Sequence, residues 1–401
     1  MDHLEKIFDA FSATTLFQQK SVLQSQYSPE MIHHRDEQIE AVASILAPAL
    51  RGERVSNLFI YGKTGSGKTL SVQHVGLRIM EKVKNLGQEH LQYVYVNCKL
   101  KKIADTEYRI LAEIIRVLGG SVPATGLPTD QVYARFVEMI DTKKQMILLV
   151  LDEIDHAVKK ISDNFIYTLT RLNSELKNAQ ISMVGISNSL TFMDYLDPRV
   201  RSSLGEEELV FPPYNAVQLQ DILRARAEKA FKKGVLEEGV LAKCAAFAAR
   251  EHGDARRALD LLRVAGELAE REGTKSVALT HIDAANSKIE RDTMLDIIES
   301  EPRQFQFVLA AIMRLHEKHG EGSIVTGEVY DVYQELCEKS RNEVLTQRRV
   351  SDILAEFDML GIINARVVSK GRQGRTREIK LMLAPGIKEK AQDILRKALE
   401  L

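Results

Sequence analysis

Eight consecutive residues, Gly62-Lys63-Thr64-Gly65-Ser66-Gly67-Lys68-Thr69, complete the spacing G-x-x-x-x-G-K-[ST]. Glycines at these positions let successive backbone N–H groups turn inward around phosphate oxygens, and a helix that starts there adds the positive end of its dipole. In that geometry Lys68 reaches the β- and γ-phosphates of a nucleoside triphosphate such as ATP, and the Thr69 hydroxyl ligates Mg²⁺. The flanking sequence supplies the context the loop needs: apolar NLFIYG (57–62) before it and helix-like LSVQHVGLRIM after it. A second signal is MILLVLDEID (146–155), an apolar strand ending in two carboxylates. Strand ends are where ligands of open α/β sheets collect. Asp152 suits Mg²⁺ coordination, and Glu153 suits the base that orients an attacking water.

These groups need a scaffold. NLFIYG, YVYVNC (93–98), MILLVL (146–151), ISMVGIS (181–187) and LVF (209–211) are short, nearly continuous apolar runs separated by helix-length segments. Runs of that kind predict parallel strands buried on both faces, joined by crossover helices. The expected fold is α/β, a parallel sheet over residues 1–213 with a long insertion at about 97–133. After Pro212-Pro213 the periodicity becomes helical and Ala-rich, predicting a small all-helical domain over 214–300. Glu301-Pro302 marks the next boundary.

Residues 301–401 read as three helices and then two strands about a Gly-containing turn, the pattern of a winged helix. Asn364 to Lys380 carries Arg366, Lys370, Arg372, Arg375, Arg377 and Lys380 against Glu378 alone. Upstream, TQRRVSDILAEFDML places Val350, Ile353, Leu354, Phe357 and Leu360 on one helical face. Thr346, Gln347, Arg348, Arg349 and Ser351 lie at the N-terminal end of the opposite face. Recognition helices offer such residues to base edges in the major groove, Arg to guanine and Gln to adenine. Arginines of the wing, Arg372, Arg375 and Arg377, suit phosphates or a narrow minor groove.

With 401 residues, 44% hydrophobic and 28% charged, the composition is that of an ordinary globular protein of two or three domains. A net charge of -1 means that any nucleic-acid surface must be local. Cys98, Cys244 and Cys337 are scattered, with no CxxC spacing, and read as reduced core thiols. Neither a signal pattern nor a membrane-length apolar run is present, so a cytoplasmic location is expected.

The ordered set resembles the AAA+ superfamily, and within it the archaeal-type origin-recognition/cell-division-cycle family of replication initiators. SPEMIHHRDEQI (28–39), GKTGSGKT, the 97–133 segment, LDEID, GISN (185–188), LDPRVRSSLGEEELVFPPY (196–214), GDARRALDLLR (253–263) and the terminal winged helix carry the resemblance. It implies that Asn188 is the polar sensor near the γ-phosphate, that Arg256 (or its neighbour Arg257) is the lid sensor, and that Tyr214 and Arg226 help hold ATP or ADP. Arg201 or Arg199 stands where a finger arginine would reach a neighbouring subunit, in an imperfect motif. Implied partners are double-stranded origin DNA, touched by winged helix and insertion, an MCM-type replicative helicase, and other initiator subunits, at the nucleoid. Slow ATP hydrolysis would serve as a switch. An ATP-switched transcription regulator is the alternative, and a clamp-loader or remodelling motor a third.

Overall fold

The computed structural model describes residues 15–99, 106–123, 126–204, 206–320, 322, 324–369 and 375–400. The chain packs as two compact units, one reaching Ile282 and one starting at Asp283.

In the first unit, in chain order, lie α1 (Asp36–Leu46), β1 (Leu58–Tyr61), α2 (Lys68–Asn85), β2 (Leu91–Asn97), α3 (Glu107–Val117) and α4 (Thr129–Ile140). They are followed by β3 (Gln145–Asp152), α5 (Ile154–Ile161), α6 (Asn164–Arg171), β4 (Ala179–Ser187), α7 (Pro198–Leu204) and β5 (Glu207–Val210). The five strands form one parallel sheet in the order β2-β3-β4-β1-β5. Every residue of β3 is buried, because helices cover both faces and strand side chains alternate between them. Leu148 and Val150 enter the core under α1 and α2, with Val42, Leu46, Val72 and Val75. Ile147, Leu149 and Leu151 enter the opposite core, with Ile110 and Ile114 of α3 and Phe136 of α4.

Register sets up the site. Tyr61 pairs with Ser187, and Asp152 pairs with Ile186, so β1, β4 and β3 end level with one another at one sheet edge. The expected LVF strand differs in place: β5 starts at Glu207, and Glu207 and Glu208 are exposed. Charged side chains on an edge strand discourage pairing with other chains.

The helical segment comprises α8 (Ala216–Ala230), α9 (Val240–Arg250), α10 (Ala255–Arg271) and the start of α11 (Leu279–Ser300). Asn215 and Gln218 form a reciprocal capping box at the start of α8. The second unit holds α12 (Arg303–His319), β6 (Ile324–Val325), α13 (Thr326–Lys339), α14 (Gln347–Met359), β7 (Ile363–Ser369), β8 (Arg375–Leu381) and α15 (Pro385–Leu399). Its antiparallel sheet runs β6-β8-β7. Two features lie outside the sequence expectation. Helix α15 follows the wing and packs Ala391, Leu395 and Leu399 into the core. The seam between units falls inside α11 rather than at Glu301-Pro302, because Met294, Leu295, Ile297 and Ile298 already belong to the second core.

All three cysteines are buried and unpaired. No helix among the described residues is long and apolar enough to cross a membrane. Leu148, fully buried in β3 between β2 and β4, has little room to relax; Leu148→Ala should cost about 2–5 kcal/mol, read as a lower midpoint in urea unfolding of the full chain.

Candidate nucleotide site and nucleic-acid face

Past Tyr61 the chain turns through Gly62–Gly67 and enters α2 at Lys68. Gly65 and Gly67 have φ of 71° and 90°, the left-handed region that suits glycine. Space forbids a side chain as well: a Cβ on Gly67 would stand 2.8 Å from the Tyr214 hydroxyl, and one on Gly65 would stand 1.8 Å from Asp254 Oδ1. The backbone is thus left bare where phosphate must approach. Lys68 is only 5% exposed. Its ammonium donates to Gly62 O (2.7 Å), Lys63 O (2.9 Å) and Asn188 Oδ1 (2.9 Å). Burial pushes its pKa down to about 8, against the weaker opposing pull of Asp152.

Asp152 sits opposite. Its Oδ2 accepts from the Thr69 hydroxyl (2.9 Å) and the Tyr95 hydroxyl (2.7 Å), and its Oδ1 accepts from the Glu153 N–H (2.9 Å). A hydroxyl and a carboxylate side by side at the mouth of a phosphate loop fit Mg²⁺, which binds few protein oxygens and completes its shell with phosphate and water. Glu153 has φ 55° and ψ 43°, a conformation that costs a non-glycine residue energy and clusters at functional sites. Its buried Oε2 has no hydrogen-bond partner among the described residues and lies 3.5 Å from Lys99 Nζ. That oxygen can accept a proton from water.

The helical segment closes the cavity. Tyr214, Arg226 and Arg256 line it together with Thr64, Gly65, Gly67, Lys68, Thr69, Asp152, Glu153 and Asn188. Asp254 caps α10 by accepting from the Arg256 and Arg257 N–H groups, and Ala255 N donates to Gly65 O (3.3 Å). The two candidate lid sensors are placed differently: Arg256 faces the cavity, whereas Arg257 Nε lies 2.8 Å from Glu251 Oε2. Arg226 donates to Val22 O (3.2 Å) and Tyr27 O (3.4 Å), with its guanidinium 4.5 Å from the Tyr27 ring centroid. It therefore also fastens the N-terminal segment over the site. Neither finger candidate lines the cavity. Arg199 makes paired bonds to Asp197 (3.0 and 3.1 Å), and Arg201 Nη1 stands 3.6 Å from Asp194 Oδ1.

Sequence reasoning passed over Arg35. It is 2% exposed and reaches both the phosphate loop and Pro212. The available signal was its position: a cation directly before α1, whose first turn carries Asp36 and Glu37, sits on the wrong end of the helix dipole.

In the second unit α14 buries Val350, Ile353, Leu354 and Phe357 as the pattern demanded, while Leu360 just beyond it is 38% exposed. Gln347, Arg348 and Arg349 are exposed and Ser351 partly so. Thr346 caps α14, its side chain accepting from Arg349 N. Arg349 Nη1 lies 3.8 Å from Asp352 Oδ2. Arg377 Nη1 donates to Ser351 O (2.9 Å), tying β8 to α14. Arg375 begins β8 opposite Ser369. Lys370 and Arg372 lie outside the described residues, as do Lys101 and Lys102 of the insertion.

A phosphate loop, a paired acidic strand end, an asparagine bonded to the loop lysine at the end of β4 and a helical lid on a β2-β3-β4-β1-β5 sheet define an AAA+ ATPase fold, here followed by a winged helix. Family models agree: an AAA domain over residues 52–193, a Cdc6 AAA+ ATPase-type lid domain over 220–287 and a CDC6 C-terminal winged helix domain over 296–391. The chain is 54% identical over 391 residues to an ORC1-type DNA replication protein of Pyrococcus abyssi, covering 96% of this chain and 91% of that one. To the ORC1-type DNA replication protein 1 of Archaeoglobus fulgidus it is 49% identical over 395 residues, covering 98% and 93%. The Aeropyrum pernix ORC1 protein, solved in complex with DNA, superposes with a TM-score of 0.82 at 45% identity, covering 96% of this chain and 97% of that one. The chain belongs to the ORC1-type family of DNA replication proteins.

Lys68 gives the site a pH signature. Between about 8 and its ordinary 10.5 the unfolded chain holds this proton and the folded chain does not. Stability from this group therefore rises with pH across that window. Phosphate held by the ammonium would run the other way. Affinity for a fluorescent ADP analogue, measured by anisotropy across the alkaline range, should fall as pH rises past about 8. An affinity independent of pH there would remove Lys68 from phosphate contact.

Proposed function

We propose that this chain is an ATP-switched replication initiator. It binds ATP with Mg²⁺, recognises double-stranded origin DNA through its winged helix and its 97–133 insertion, and helps recruit or load an MCM-type replicative helicase. The observation that carries this reading is the union, in one ORC1-type chain, of the Lys68–Asn188 and Thr69–Asp152 constellation with an exposed recognition-helix face at Gln347 and Arg348. The DNA complex of the Aeropyrum pernix relative supports the nucleic-acid half.

In the proposed chemistry the loop N–H groups and Lys68 hold the β- and γ-phosphates, and Thr69 and Asp152 would hold Mg²⁺, which would supply charge neutralisation at the phosphate oxygens. Glu153 takes a proton from water as the water oxygen bonds to the γ-phosphorus and the bond to the β–γ bridging oxygen breaks. Asn188 and Arg256 contact the γ-phosphate. Arg201 or Arg199 would complete the site only when presented to another initiator subunit, so turnover by the chain alone is slow. Enclosure by Tyr214, Arg226 and Arg256 makes product release a slow step too, and purified protein should carry ADP, detectable in the supernatant after denaturation.

Glu153→Gln should leave nucleotide binding intact and lower single-turnover hydrolysis by about 100-fold or more; unchanged hydrolysis would remove Glu153 as the base. Arg348→Ala should cost about 1–3 kcal/mol and relax preference at one base position, while Arg375→Ala should weaken all sequences alike and reduce the salt slope by about one. Binding to single-base variants across a salt series separates the two. Genome-wide mapping of bound DNA tests the function itself: sites beside replication start points support an initiator, and occupancy of many promoters replaces it with a transcription regulator.

A further inference from the structure

Arg35 occupies the first position before α1, far in sequence from every nucleotide motif, yet its guanidinium joins two of them. Nε donates to Ser66 O of the phosphate loop (2.8 Å), Nη2 to Pro212 O of the segment leading into the lid (2.6 Å), and Nη1 to His34 O (2.8 Å). Its centre lies 3.7 Å from the Tyr214 ring centroid and 5.8 Å from that of Phe211. The side chain is 2% exposed, and no carboxylate pairs with it among the described residues. Burying a cation without an anion is costly. Three carbonyl dipoles and a ring face offset that cost here, and all converge on the joint between loop and lid.

The shape of the group matters as much as its charge. A guanidinium is a rigid fork that can satisfy three separated carbonyls at once, while an ammonium is a point donor on a flexible stem. Ser66 O belongs to the loop whose N–H groups face phosphate. Pro212 O and Tyr214 belong to the hinge that carries α8 to α10, and the Tyr214 hydroxyl abuts Gly67. Movement of the hinge away from the loop must break one arm of the fork and unstack the ring.

We propose that Arg35 is a positioning residue that locks the lid hinge to the phosphate loop and thereby sets how slowly the nucleotide leaves. This rests on the nucleotide reading of the site. Arg35 touches no reacting atom, so it governs release and not the chemical step.

The test is Arg35→Lys in the full chain, which keeps the cation and loses the fork. Release of a fluorescent ADP analogue, chased with unlabelled ADP in stopped flow, should speed up about tenfold or more, the effect of losing about 1.4 kcal/mol. Single-turnover hydrolysis of ATP should stay within about twofold, and the melting temperature of the nucleotide-free protein should change little. A release rate equal to that of the unmutated protein overturns the proposal. So does a parallel loss of release control, hydrolysis and melting temperature, which marks a residue needed only for folding. Absence of analogue binding by the unmutated protein after its bound nucleotide has been removed overturns the nucleotide reading and this inference with it. Should Arg35→Lys fail to fold, hydrogen exchange on the unmutated chain decides: ADP should slow exchange in α1 and in the 211–216 hinge together with the loop, and protection confined to the loop sinks the lock.

Discussion

A buried ammonium, Lys68 Nζ, holds together the parts on which the nucleotide site depends. It bonds to two carbonyls of its own loop and to Asn188 at the end of β4. These bonds are possible only because β1 and β4 are neighbours in register, with Tyr61 opposite Ser187. β3 on the far side of β4 brings Asp152 to the same level, where Thr69, the residue after Lys68, meets it. The sheet order is therefore a chemical requirement: exchange of β4 for any other neighbour of β1 would separate ammonium, asparagine and acid.

Charge around the cavity follows from what it must hold. Lys68, Arg226 and Arg256 line it and Arg35 lies behind it, against Asp152 and Glu153. Lys68, Arg35 and Arg226 all have their pKa lowered by desolvation, so the site is electrostatically strained toward an anion. Carbonyl oxygens, rather than carboxylates, satisfy most of these donors. Carbonyl dipoles hold a cation in place without cancelling its field, and that field remains for phosphate to use.

The sequence made the phosphate loop, the acidic strand end and the four buried positions of α14 legible, because each depends on local spacing. Five strands could be read for the same reason: fully buried parallel strands leave unbroken apolar runs. The position of Arg35 was a signal, but its partners, like the Lys99–Glu153 contact, could not be read, since they lie in segments far apart in the chain and single charges carry no periodicity. The choice between Arg256 and Arg257 was equally hidden, because the two differ only in which side of the α10 start they face. Helix α15 was missed for another reason. Its apolar residues Ala391, Leu395 and Leu399 are spaced helically but sparse among charges, and the wing's basic run dominates that stretch.

On the winged helix the structure divides residues that composition had grouped together. Thr346 is committed to capping and Arg377 to the carbonyl of Ser351, so these two stabilise the reading surface from within. Arg349 leans toward Asp352, which weakens its claim as a free donor. Gln347 and Arg348 are left exposed. The Arg377 guanidinium, held at the back of α14, ties helix to wing, and in the proposed DNA complex that tie would decide whether groove and backbone can be touched together. Under the DNA reading proposed above, base discrimination would fall to few side chains, and the remaining positives would supply affinity that any sequence can share.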